Sequence, residues 1–256
     1  MYRVGCVSYL NSKPLIYGLE RQPDIRLSLD VPARLLDGMR DERFDVALLP
    51  VIDYQKLPDL RILPVGGIAS DGPTLTVRIF SPVPIEKIQT LSFDPDSHTS
   101  VALAKIILAE RYGLHPAQGE GSARLLIGDK VVCDEPRDMP FQLDLGQAWK
   151  ELTGLPFAFA VWAARGDVNL GDLPRRLDAA RERGMKHIDE IIAEHAIPRG
   201  WPGDLARQYL TQNLQFQIGL KHLQAIAEFY RRCAGLGLIE SPAKPLDTYG
   251  SFSAAD

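Results

Sequence analysis

The sequence is short of cysteine, of long apolar runs and of excess charge, and each shortage removes a class of protein. Only Cys6, Cys133 and Cys233 occur among 256 residues. They are too far apart for CxxC or zinc-knuckle spacing, and an odd, sparse set fits a reducing compartment better than a disulfide framework. They read as small hydrophobes, not as ligands or nucleophiles. No apolar run reaches the roughly 20 residues that span a bilayer. Met1-Tyr2-Arg3 does not begin a signal peptide, so a cytoplasmic location is expected. Against 33 acids stand 29 bases, a net charge of −4. That leaves no basic footprint for nucleic acid and no polybasic patch for a membrane. The familiar catalytic loops are missing as well. There is no GxGxxG after a strand, no GxxxxGK[ST] loop, no HExxH and no GxSxG elbow; no metal site is expected.

What is present is ordinary globular material, 45% hydrophobic and 24% charged, enough for a packed core. The length suits one large or two small domains. Tyr2–Tyr9 reads as a strand, and Asn11 as the cap of a following helix with Pro14 in its first turn. Ile25–Val31 alternates as a second strand, Pro32 opens a helix through Leu35, Leu36 and Met39, and Phe44–Leu49 is a third strand. This order implies parallel pairing through right-handed crossovers. Leu60–Val65 and Thr74–Ser81 read as further strands, separated by the turn Ser70-Asp71-Gly72-Pro73. Ser81-Pro82-Val83-Pro84 is stiff and poor in donors, and reads as a crossing segment.

After it come Thr90–Phe93 as a strand, the turn Asp94-Pro95-Asp96-Ser97, a helix from about Thr99 to Tyr112, a short strand Leu125–Ile127, a helix Asp144–Thr153 and an apolar strand Phe157–Ala164. From Leu170 the pattern is helical, with a break near Gly184 and a last helix through Leu220, Leu223, Ala227 and Tyr230. Ser251–Asp256 reads as a frayed tail. The expected architecture is α/β with two lobes. Residues 1–82 and 163–256 form the first lobe, which the final helices cover, and 83–162 form the second. A cleft between them, hinged near Pro82 and Ala163, is the expected ligand site.

Small polar residues gather where strands end. Ser8-Tyr9-Leu10-Asn11 follows the first strand. Ser70-Asp71-Gly72 follows another, Ser97-His98-Thr99-Ser100 opens a helix in the second lobe, and Gly128-Asp129 closes a strand there. Ligands of open α/β sheets sit beyond the carboxyl ends of strands, and helix N-termini offer free N–H groups to anions. Each turn alone is explained by helix capping; two hydroxyl-rich turns, one per lobe, also suit one small anion between them. Of the five histidines only His98 lies in such a turn.

Several segments, in order, carry a resemblance to a known family. They are Ser8-Tyr9-Leu10-Asn11 with Pro14-Leu15, Phe44-Asp45-Val46-Ala47-Leu48-Leu49-Pro50, Ala69-Ser70-Asp71-Gly72-Pro73, Thr99-Ser100-Val101-Ala102-Leu103, Leu126-Ile127-Gly128-Asp129, Asp144-Leu145-Gly146 and Leu152-Thr153-Gly154-Leu155-Pro156-Phe157. Together they resemble the chorismate dehydratases that open the futalosine route to menaquinone. The resemblance spans nearly the whole chain and departs at His98, where many members are expected to carry Arg. It implies a periplasmic-binding-protein type II-like fold used as a cytoplasmic enzyme. It also implies loss of water from chorismate to give 3-[(1-carboxyvinyl)oxy]benzoate, with no cofactor. On this reading Asn11 bonds the departing hydroxyl, while Ser70, Thr99 and Ser100 hold carboxylates. Ser8, Ser97, His98 and Asp129 are further substrate-binding candidates, and Asp71 is the base if the substrate does not bring its own. Two other readings fit part of the pattern. One is the sister enzyme of the route, a dihydroxynaphthoate synthase expected to use a catalytic His; the other is a non-catalytic binder of a small anion.

Overall fold

Two five-stranded sheets organise the computed structural model, which describes residues 1–95, 97–119 and 123–250. The expected tail 251–256 and Asp96 of the turn before the second-lobe helix lie outside the described residues. Strands β1 (Tyr2–Val7), β2 (Ile25–Asp30), β3 (Val46–Pro50) and β4 (Leu60–Ser70) build the first sheet. The second is built from β5 (Val77–Ser81), β6 (Thr90–Ser92), β7 (Ala117–Gln118), β8 (Ala123–Ile127) and β9 (Phe141–Asp144). The chain then returns as β10 (Phe157–Arg165), between β3 and β4. As expected, β1 pairs in parallel with β2 and β3. Strand β10 runs antiparallel to both neighbours, and its pairing with β4 skips a residue at Phe159. Such a bulge re-aims the skipped side chain.

The crossings therefore differ from the expected ones near Pro82 and Ala163. Strand β5, expected in the first lobe, pairs with β8 and β9 of the second sheet. Strand β10, expected in the second lobe, belongs to the first sheet. The chain crosses at residues 71–76 and again at 154–156. Prolines end a strand equally well at a loop within a sheet, and an apolar run buried on both faces does not say which sheet takes it.

Helices α1 (Lys13–Ile16), α2 (Pro32–Arg40), α3 (His98–Tyr112), α4 (Lys130–Cys133), α5 (Leu145–Thr153), α6 (Leu173–Lys186), α7 (Ile188–Ile191), α8 (Gly203–Gln208) and α9 (Leu220–Gly235) surround the sheets. Ser97 caps α3, its Oγ accepting the Ser100 N–H at 3.2 Å. Asp144 caps α5. Asn11, expected as a cap, lies inside a 3-10 turn (Leu10–Ser12) and caps nothing. Helix α6 runs through Gly184 unbroken. A Cβ there would lie 2.1 Å from the Pro14 carbonyl oxygen, so this glycine serves close packing of α6 on α1.

The final helices do more than cover the first sheet. In α9, Phe229 meets Trp149 of α5 edge-on at 6.2 Å and Phe157 of β10 at 5.1 Å. Arg232 joins Glu228 to Glu110 of α3. Bonds from Arg231, with help from Arg232, hold the Glu228 carboxyl down from 4.5 to about 2. A depressed carboxyl contributes stability above its unfolded value, and that contribution fades as pH falls from about 4.5 toward 2. Glu228→Gln is expected to cost about 1 kcal/mol at pH 7, since a quarter of the side chain meets solvent. Urea titrations should show the gap between variant and parent narrowing below pH 4.5 and closing only near pH 2.

Candidate active site

Between the two sheets lies a partly enclosed cavity, in the kind of interdomain cleft where small-molecule sites form. Its walls come from the ends of elements, as an α/β topology predicts. After β1 come Tyr9 and Asn11; from the first crossing, Thr74 and Thr76; from the start of α3, Ser97, Thr99 and Ser100; after β8, Gly128. Phe159, at the β10 bulge, and Tyr209 complete the polar and aromatic lining. Among the described residues that line it there is no Asp, Glu, His, Lys or Arg. The N-terminus of the fifteen-residue α3 supplies positive potential in their place.

Two polar atoms in this lining are buried without a partner, Asn11 Oδ1 and Thr74 Oγ1. An unmet buried acceptor costs about 1–3 kcal/mol, so both are suited to a ligand that carries hydrogen-bond donors. The Tyr209 hydroxyl is fully buried and lies 2.7 Å from Thr76 Oγ1. Burial pushes its pKa far above the ordinary phenol value, so it remains a neutral O–H.

The structure brings Asn11, Ser97, Thr99 and Ser100 together, one from the first sheet and three from the second. Ser97 both caps α3 and lines the cavity. Thr99 Oγ1 accepts the Ile52 N–H at 3.3 Å and ties α3 to the segment after β3. The remaining candidates lie elsewhere. Ser70 is buried, and its hydroxyl donates to the Gly72 carbonyl at 3.2 Å. Asp71 is exposed and pairs with Lys150 at 2.5 Å, which removes it as a base at the cavity. His98 turns away, with Nδ1 2.8 Å from both carboxylate oxygens of buried Asp53, which Lys56 also meets at 2.7 Å. Ser8 is outside the lining, and its carbonyl accepts from Arg199. Asp129 closes the rim: its carboxylate accepts the Leu10 N–H at 3.4 Å and Arg199 Nη1 at 2.9 Å.

Beside that clasp the Tyr9 ring rests on Gly128. With φ at +65° and a Cβ only 3.2 Å from the ring, this position favours glycine. Thr74 and Thr76 lie at the start of the strand expected at Thr74–Ser81 and carried no ligand signal of their own. Tyr209 lies in a helical stretch with no motif and carried no signal. Among the described residues no three His, Cys, Asp or Glu side chains converge as metal ligands, and no helix is long and apolar enough to cross a membrane.

Two α/β lobes with a cavity between them define the periplasmic-binding-protein-like fold. A protein of Archaeoglobus fulgidus shares it at TM-score 0.77 and 17% identity, over 93% of this chain and 98% of that one. The alkanesulfonate-binding protein of Xanthomonas axonopodis pv. citri does so at 0.70 and 11%, over 95% of both chains. Within that fold the chain belongs to the menaquinone biosynthesis family, whose model matches residues 2–235. Its relatives include the chorismate dehydratase of Campylobacter jejuni, 26% identical over 91% of this chain and 98% of the relative. The chorismate dehydratase of Thermus thermophilus is 29% identical over 82% and 87%.

Proposed function

We propose that the protein is a hydro-lyase that removes water from chorismate to give 3-[(1-carboxyvinyl)oxy]benzoate. The observation that carries this reading is a largely apolar cavity whose side-chain polar groups are hydroxyls and one carboxamide, with no general base in its described lining. Chorismate supplies what such a site lacks. Its enolpyruvyl carboxylate hangs beside ring carbon 3 and takes the proton from that carbon. The charge left behind delocalises toward the ring carboxylate, where the start of α3 and its hydroxyls stabilise it. The C4–O bond then breaks, the ring becomes aromatic, and the proton taken from carbon 3 leaves with the hydroxide as water. Atoms and charge balance without a further reagent. The protein's part is to orient the C4 hydroxyl through Asn11, to hold the carboxylates, and to exclude water.

The sister synthase is expected to use a catalytic histidine, and His98 is engaged by Asp53 outside the cavity lining. Three free thiols support a reducing, cytoplasmic setting. Incubation with chorismate, followed by mass spectrometry, is expected to yield an aromatic product one water lighter. A rise in melting temperature without product would make the protein a binder instead, and the absence of both product and shift would overturn the chorismate reading altogether.

A further inference from the structure

The motif Asp144-Leu145-Gly146 stands at the junction of β9 and α5, outside the cavity lining, and the dehydration itself gives it no task. Its contacts converge on one residue of the crossing, Thr74. The Asp144 carboxylate accepts the Thr74 N–H at 3.0 Å and the Leu75 N–H at 2.8 Å, which sets the backbone. Gly146 sets the side chain. A Cβ at Gly146 would overlap the Thr74 methyl and come within 2.6 Å of the Gly72 carbonyl oxygen, so the methyl fills the space that the missing side chain leaves. A threonine has few staggered positions about χ1. With the methyl seated on Gly146, the hydroxyl takes another of them. There it is buried without a partner, on a residue that is 1% exposed and lines the cavity.

Buried hydroxyls are nearly always bonded, and this one is kept unbonded by two neighbours that fix its place. A hydroxyl can accept or donate, whereas Asn11 Oδ1 only accepts. Chorismate carries a single neutral donor, the C4 hydroxyl, which the proposed mechanism assigns to Asn11. Its other polar atoms accept, and its carboxylates are the strongest acceptors among them. We infer that Thr74 is a further substrate-binding residue whose hydroxyl donates to a carboxylate oxygen of chorismate, and that Asp144-Leu145-Gly146 is the template that presents it. Arg78, 3.7 Å from Asp144, offsets the negative charge of that template. Substrate and product both carry the two carboxylates, so loss of this bond falls mainly on binding. The inference rests on the dehydratase reading for its choice of ligand.

The test uses the full chain. Thr74→Val keeps the shape and the methyl on Gly146 and deletes only the hydroxyl. It is expected to weaken binding of the product, 3-[(1-carboxyvinyl)oxy]benzoate, by about tenfold in calorimetry and to raise KM for chorismate alike. The same variant should lower kcat by no more than about threefold. Its melting temperature should hold or rise, because no unmet hydroxyl is buried any longer; a merely structural role would lower it. Thr74→Ser returns the hydroxyl and is expected to recover product affinity to within about threefold of the parent. Thr74→Ala repeats the measurement if the valine variant fails to fold. Product affinity within about twofold of the parent in Thr74→Val, or a loss that Thr74→Ser does not recover, would overturn the role of Thr74. The dehydratase reading would then stand as long as the parent forms product. A parent that binds the product without turning over chorismate overturns that reading alone, while the affinity of the valine variant still decides the role of Thr74. A parent that does neither overturns both.

Discussion

Asn11→Ala is expected to lower kcat for chorismate by roughly a hundredfold, the scale on which lost orientation of a reacting bond is felt. The inhibition constant of the aromatic product should stay within about twofold of the parent value, since the product has lost the hydroxyl that Asn11 holds. The reasoning begins at the backbone. After β1 the chain enters a 3-10 turn, Leu10–Ser12, in which Asn11 caps nothing. Its carbonyl oxygen is buried without a partner at the cavity, a cost that the folded protein bears before any ligand binds. Removing the side chain relieves that cost, so Asn11→Ala is expected to fold at least as stably as the parent. Lower activity without lower stability separates a functional residue from a structural one. An unchanged kcat, or a loss matched by weaker product binding, would remove Asn11 from this role.

Asp144→Ala is expected to have the largest effect on stability, a loss of roughly 3 kcal/mol. The carboxylate of Asp144 is only 14% exposed, and it gathers backbone donors from two elements. It accepts the N–H groups of Gly146 (3.0 Å) and Gln147 (3.1 Å) at the start of α5. It also accepts those of Thr74 (3.0 Å) and Leu75 (2.8 Å) on the crossing segment. Leu75 stands at φ +68°, a left-handed conformation that costs a non-glycine residue about 1–3 kcal/mol and persists only where its surroundings impose it. Without Asp144 both the cap and the imposed conformation are lost. For a chain of this size the melting temperature should fall by about 6–12 °C. Turnover by the folded fraction should fall as well, because Thr74 and Thr76 reach the cavity from this same segment. A melting temperature within about 2 °C of the parent would refute the role of Asp144.

The strands and helix starts of this protein were legible because local chemistry sets them. Alternation marked β2, Pro32 opened α2 and Asp144 began α5. The hydroxyl-rich start of α3 was legible as a ligand-facing turn for the same reason: capping groups and helix N–H donors are neighbours in sequence. Within the candidate site, Asn11, Ser97, Thr99 and Ser100 came from such turns. Ser70, Asp71 and His98 shared the pattern yet found partners elsewhere. Whether a polar side chain meets Gly72, Lys150, Asp53 or a cavity depends on what the other lobe presents to it.

Contacts a few residues apart thus set the longer elements, their order and the polar turns at their ends, whereas β7, β9 and α4 are too short to leave a pattern of their own. The remainder depends on how distant segments meet. Strand β10 joins the first sheet because β3 and β4 leave a place between them, and its own apolar residues suit either sheet. Tyr209 reaches Thr76 and the cavity because α8 continues as a π turn against the crossing. Burial then makes those hydroxyls and the Asn11 carboxamide matter, since outside water each polar atom must find a partner in the protein or in its ligand.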